Sequence, residues 1–148
     1  MNEAQVTLGF VNLCKGYFRL GYSNYICNTM SNSDLKIFIS GAITKYAKTD
    51  EGKRFVSDKF MGKEFDLITL YRFGAVYNPI RLIDELGWDA PHEEYMKRCL
   101  EGLKDCDVVY FFRDWWDSKG ARIEHEKALE LNKDIIYEVP FSDVNYSC

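Results

Sequence analysis

The residues best suited to chemistry in this 148-residue chain gather between Trp115 and His125. Ser118-Lys119-Gly120-Ala121 reads as the opening of a helix. The free backbone N–H groups and positive dipole end of a first helical turn suit an anion, phosphate above all. Lys119 and Arg122 add positive charge there, and the Arg122 guanidinium could grip two phosphate oxygens at once. A plainer role is open to the same residues, with Ser118 only a helix cap and Lys119 only a solvated charge. One turn further in, Glu124 and Glu126 stand two positions apart and so face different directions. They cannot be a carboxylate pair on one face; only one can meet a ligand, and periodicity does not choose between them. Trp115 and Trp116, beside Phe111 and Phe112, offer ring faces that could stack on a nucleobase, or equally anchor a loop or a contact between subunits.

No metal or cofactor is expected. The cysteines Cys14, Cys27, Cys99, Cys106 and Cys148 are odd in number and irregularly spaced, with no C-x-x-C pair. His92 and His125 suit surface or supporting positions better than metal ligation. Unpaired thiols fit a reducing compartment, so the expected location is cytoplasmic. A net charge of −4 argues against the basic surface that tracks a nucleic-acid backbone, which makes a nucleotide a better partner than a polymer. The longest apolar runs, such as residues 108–112, fall far short of the roughly 20 residues a membrane span needs, and no membrane partner is expected. Residues 1–27 are broken by Asn2, Glu3, Lys15, Arg19 and Asn24 and do not read as a signal peptide.

The elements that must position these side chains follow an alternating pattern from Leu35 onward. Residues 36–40 read as a strand ending at Gly41, and residues 52–73 as a long amphipathic helix that Gly62 could interrupt. Residues 75–77 form a second strand closed by Asn78-Pro79. A loop over 87–91 leads to a helix over 93–103, then a third strand over 108–112. The 114–120 loop opens a helix over 121–131, and residues 135–137 supply a fourth strand. This β-α-β-α-β-α-β order implies an α/β, Rossmann-like (flavodoxin-like) fold, a parallel sheet of four to five strands with helices on both faces. Residues 35–148 would form this domain. Residues 1–34 would be an N-terminal extension, with a disordered and a packed arrangement equally open. In an open parallel sheet, ligands collect outside the carboxyl ends of the strands. Gly41 to Thr44, Asn78-Pro79 and the Arg113 to Arg122 segment should therefore meet.

The strings Lys36-Ile37-Phe38-Ile39-Ser40-Gly41-Ala42, Val76-Tyr77-Asn78-Pro79, Tyr95-Met96, Asp105-Cys106-Asp107 and Trp115 through His125 resemble the nucleoside 2-deoxyribosyltransferase-like superfamily over about residues 35–137. The likeness is to small bacterial and phage members of uncertain activity and to nucleoside 5′-monophosphate N-glycosidases. The resemblance implies covalent catalysis in which a helix glutamate, Glu124 rather than Glu126, attacks the anomeric carbon and expels the base. Ser118, six positions earlier, stands where the monophosphate N-glycosidases carry a phosphate-contacting serine. The expected substrate-binding set is Phe38, Gly41, Asn78, Cys99, Trp115, Ser118, Gly120 and Arg122. Two of these depart from the family pattern. Phe38 replaces a strand tyrosine whose hydroxyl helps place the nucleophile, and Cys99 replaces a helix aspartate that contacts the sugar. The expected function is cleavage or transfer at the N-glycosidic bond of a (deoxy)nucleoside 5′-monophosphate. The alternative is a catalytically impaired nucleotide-binding or sensing module. The resemblance also implies a homodimer or larger homo-oligomer.

Overall fold

Four short strands whose residues are apolar on both faces can be satisfied only inside a sheet covered on two sides. The computed structural model describes residues 32–138 together with the strand β1 (Phe10–Leu13). The expected extension of residues 1–34 otherwise lies outside the described residues, apart from a 3-10 turn at Asn32–Asp34. The parallel strands are β2 (Lys36–Ser40), β3 (Ala75–Tyr77), β4 (Val108–Phe111) and β5 (Asp134–Glu138). The sheet runs β1-β5-β4-β2-β3, with β1 antiparallel on the β5 edge. The four parallel strands thus take the flavodoxin-like order, second-first-third-fourth, and the order reverses between β2 and β4.

Four helices cover the sheet: α1 (Asp50–Thr69), α2 (Pro79–Leu86), α3 (His92–Lys104) and α4 (Lys119–Glu130). Strand alternation divides the core in two. Ile37, Ile39, Val108 and Tyr110 pack with Val56, Phe60 and Leu67 of α1 on one face. Phe38, Val109, Phe111 and Ile135 pack with Cys99 and Leu103 of α3 and Ala128 of α4 on the other. The expected fold class, with helices on both faces, is the one observed.

Two details differ from the sequence expectation. The α1 helix runs through Gly62 without a break, its buried positions Val56, Phe60, Glu64 and Leu67 keeping a helical period across it. The α2 helix was not expected, because Asn78-Pro79 reads as a strand terminator. Here Asn78 is an N-cap whose side chain accepts from the Ile80 N–H, and Pro79 sits at the first helical position, where no N–H is needed. Gly87, at a φ of 87°, ends the helix in a conformation that glycine adopts without strain.

Candidate functional site

The switch between β2 and β4 brings the loop after β2, the loop after β4 and the first turns of α3 and α4 to one end of the sheet. A cavity of about 250 Å³ opens there. Gly41, Ile43, Thr44 and Ala47 line it from the β2 loop, and Pro79, Ile83 and Trp88 from α2 and the turn beyond. His92, Tyr95, Met96 and Cys99 of α3 face it, as do Ser118, Lys119, Gly120, Ala121 and Glu124 around the start of α4. Close packing at Gly41 explains its type, since a Cβ there would lie 2.8 Å from Cδ2 of Phe112. The α4 turn is less tight, since a Cβ on Gly120 would lie 3.1 Å from the Met96 sulfur, the movable part of a flexible side chain.

Glu124 is the buried carboxylate of this cavity, 6% exposed. It lies on the inward stripe of α4 with Ala121 and Ala128, at helical spacing, whereas Glu126 is exposed. One carboxyl oxygen, Oε2, accepts a hydrogen bond from the hydroxyl of Ser40, the last residue of β2. Burial pushes the Glu124 carboxyl up to about 7, and the Ser40 hydrogen bond partly offsets that push. Cys99 is 5% exposed, and burial, then the nearby Glu124 charge, drives its thiol well above the ordinary range. Ser118 caps α4 by accepting from the Ala121 N–H at 3.2 Å.

The loops forming the cavity wall are clasped together by Asp114. Its Oδ1 accepts from the Ala42 N–H, and its Oδ2 from the Tyr46 hydroxyl at 2.8 Å and the Lys59 ammonium at 2.6 Å. Burial alone would raise this carboxyl. The Lys59, Tyr46 and Ala42 hydrogen bonds, with the Lys59 charge, outweigh burial and hold it below the usual carboxylate range. Lys45 and Asp117 add an exposed ion pair between the same two loops.

Of the residues expected to bind substrate, Gly41, Cys99, Ser118, Gly120 and the expected nucleophile Glu124 come together around the cavity. The other four do not line it. Phe38 is fully buried one layer deeper, stacked on Tyr77 at 5.0 Å, because strand alternation aims it into the α3–α4 core. Asn78 spends its side chain on capping α2 and on donating to Glu64 and the Phe60 carbonyl. Trp115 stacks on His125 at 4.2 Å beside Phe111 and Tyr137, drawn into an aromatic cluster instead of standing free. Arg122 is exposed on α4 because it falls between the inward positions Ala121 and Glu124. Sequence reasoning missed Ser40 and Trp88. Ser40 had a readable signal, as the only polar side chain among four buried strand positions. Among the described residues, no three His, Cys, Asp or Glu side chains are gathered to hold a metal ion, and no helix is long and apolar enough to cross a membrane.

A doubly wound parallel sheet with a buried carboxylate in a cavity at its switch point defines a Rossmann-like α/β protein. The chain belongs to the family described as Domain of unknown function (DUF4406), whose family model matches residues 35–137. No curated protein gives a match.

Proposed function

We propose that the chain binds a (deoxy)nucleoside 5′-monophosphate and cleaves or transfers at its N-glycosidic bond through a covalent intermediate on Glu124. The observation that carries this reading is the Glu124 carboxylate, buried at the switch-point cavity and anchored by a single hydroxyl. An oxygen of ionised Glu124 attacks the anomeric carbon as the N-glycosidic bond breaks. The base leaves with the bonding electrons and takes a proton from solvent. Water, or an incoming base, then displaces the ester and returns the carboxyl group. Two parts of the cavity lining support a nucleotide as ligand. Ile43, Ala47, Ile83 and Trp88 give an apolar wall for a base, while Ser118, Lys119 and the open first turn of α4 suit a phosphate. On this reading the base stacks on Trp88 rather than Trp115, and Lys119 rather than Arg122 is the cationic contact of the phosphate. The proposal includes a cytoplasmic location and assembly into a homodimer or larger homo-oligomer, the latter tested by light-scattering mass.

A specific observation favours a second reading, a nucleotide-binding or sensing module with impaired turnover. Cys99 presents a buried thiol with a raised pKa beside Glu124, and a neutral thiol is a poor substitute for a carboxylate at the sugar. Incubation with each deoxynucleotide and ribonucleotide, with chromatography of released base, decides between them. Multiple turnovers that vanish in Glu124→Ala support the enzyme. Calorimetric binding with no released base supports the module, and base release undiminished in Glu124→Ala overturns the mechanism.

A further inference from the structure

Ser40 is fully shielded from solvent, and it faces the same side of the sheet as Phe38. Its register partner across β4 is Phe111. A hydroxyl in that apolar layer is unfavourable unless it is satisfied, and alanine would fill the strand position with no polar atom at all. Among the described residues, its hydrogen-bond partner is Oε2 of Glu124, 84 positions away in the chain. Oε1 of Glu124 has no hydrogen-bond partner among the described residues, and Glu124 lines the cavity. One oxygen is therefore tied to the sheet while the other is left for the cavity.

We infer that Ser40 is a positioning residue, whose hydroxyl holds Oε2 of Glu124 against the end of β2 and presents Oε1 to the ligand. This rests on the reading of Glu124 as the reacting group. A glutamate side chain has several rotamers, and misplacing a reacting atom by 1 Å can reduce a rate by about a hundredfold. Anchoring one oxygen to a fully buried strand position removes that freedom. The donated hydrogen bond also favours the ionised carboxylate. The other titratable groups around Glu124 are His92, Tyr95 and Cys99 from α3, Tyr77 from β3 and Lys119 from the start of α4. None of these is hydrogen-bonded to it, so Ser40 is the group that opposes the effect of burial on the carboxyl.

The test uses Ser40→Ala, with Ser40→Thr as the conservative rescue and Ser40→Cys as a variant of similar size with a weak donor. The first readout is the titration of the Glu124 side-chain carboxyl carbon by NMR. The second is kcat and KM for base release from a nucleotide. In Ser40→Ala the Glu124 midpoint is expected to move up by a pH unit or more. Its kcat should fall at least about tenfold, with KM within about threefold. Ser40→Thr should restore the midpoint toward its original value, and Ser40→Cys should fall between. An unmoved Glu124 midpoint in folded Ser40→Ala, or in Ser40→Cys where the alanine variant does not fold, overturns the inference. If the unmutated protein releases no base, the enzyme reading falls. The titration still decides Ser40, a shift supporting its role and no shift removing it.

Discussion

Cys99 and Glu124 face one cavity from neighbouring helices, and burial affects them differently. It drives the Cys99 thiol so far up that the sulfur is neutral and weakly nucleophilic near pH 7. Glu124, raised only to about 7, is part ionised at the same pH and can act as a nucleophile. Glu124→Gln is accordingly expected to lower base release by at least about a thousandfold while calorimetric nucleotide binding persists. Cys99→Ala should stay within about threefold of the unmutated rate. A collapse of Cys99→Ala to the Glu124→Gln level would make the thiol part of the chemistry. The choice between Glu124 and Glu126 was beyond simple periodicity, since both are charged and both sit on a helix. The burial stripe of Ala121, Glu124 and Ala128 resolves it, and two small residues flanking a glutamate at helical spacing are the trace that this stripe leaves in the sequence. Arg122 and Trp115 look equally functional by residue type. Whether a side chain reaches the cavity depends on where helix phase and neighbouring rings put it, which the residue type does not carry.

The elements gather the site through their ends. The first turn of α4, capped by Ser118 and bordered by Lys119, supplies N–H groups and a positive dipole end at the cavity. If a 5′-phosphate docks there, monophosphates should bind at least about tenfold more tightly than the matching nucleosides, or ~1.4 kcal/mol. Ser118→Ala should weaken the monophosphate more than the nucleoside. Lys119→Ala should do the same with a larger dependence on salt, and Arg122→Ala should have little effect, since Arg122 does not line the cavity. Equal affinity for both ligand classes would leave Ser118 as a helix cap alone. The loops depend on Asp114, whose removal strands the Lys59 ammonium, the Tyr46 hydroxyl and the Ala42 N–H. Asp114→Ala is expected to cost about 2 kcal/mol in urea unfolding, allowing for the partial exposure of Lys59. A loss near zero would mean that the clasp contributes nothing measurable. The parallel strands were legible as short apolar runs bounded by turn residues, and three of the four helices as the longer runs between them, although the expected amphipathic face of α1 is not the one observed, since Phe55, Phe65 and Leu70 are exposed while Glu64 is buried. The α2 helix was not, because its eight residues begin at a proline that equally marks the end of a strand. Neither was the Asp114 clasp, which depends on the β2 and β4 loops meeting across the switch point.

Across the whole molecule, the stability of the fold should record the protonation of one carboxyl. Glu124 has an ordinary value of 4.5 and a folded value of about 7. Between those values the folded chain holds a proton that the unfolded chain has released, so stability falls as pH rises through this window and levels off above it. Moving a carboxyl from 4.5 to about 7 corresponds to roughly 3 kcal/mol at full effect. Two other groups act in the opposite direction. His125, lowered by burial against the opposing charge of Glu126, stays neutral in the fold and reduces stability as pH falls below its unfolded value. Asp114, held below the usual range, contributes stability that is lost as pH falls through its folded value. Cys99 and Cys106, raised by burial, add a loss of stability as pH approaches the ordinary thiol value, so no single slope in the profile of the unmutated protein belongs to Glu124. Subtracting the profile of Glu124→Gln isolates the Glu124 contribution below about pH 8, where His125 and Asp114 are common to both proteins and the Cys99 thiol, which feels the Glu124 charge, stays protonated in both states. The glutamine variant should match the unmutated protein, apart from a constant offset, below about pH 4.5 and gain on it steadily up to about pH 7.5. Above that the gain should level off at roughly 3 kcal/mol, or roughly 6–12 °C in thermal midpoint for a domain of this size. Thermal melts of both proteins from about pH 4 to about pH 8 measure this difference. A difference that stays flat across the window would mean that the Glu124 carboxyl is solvated enough to ionise normally, and a nucleophile buried at the switch point would no longer describe this cavity.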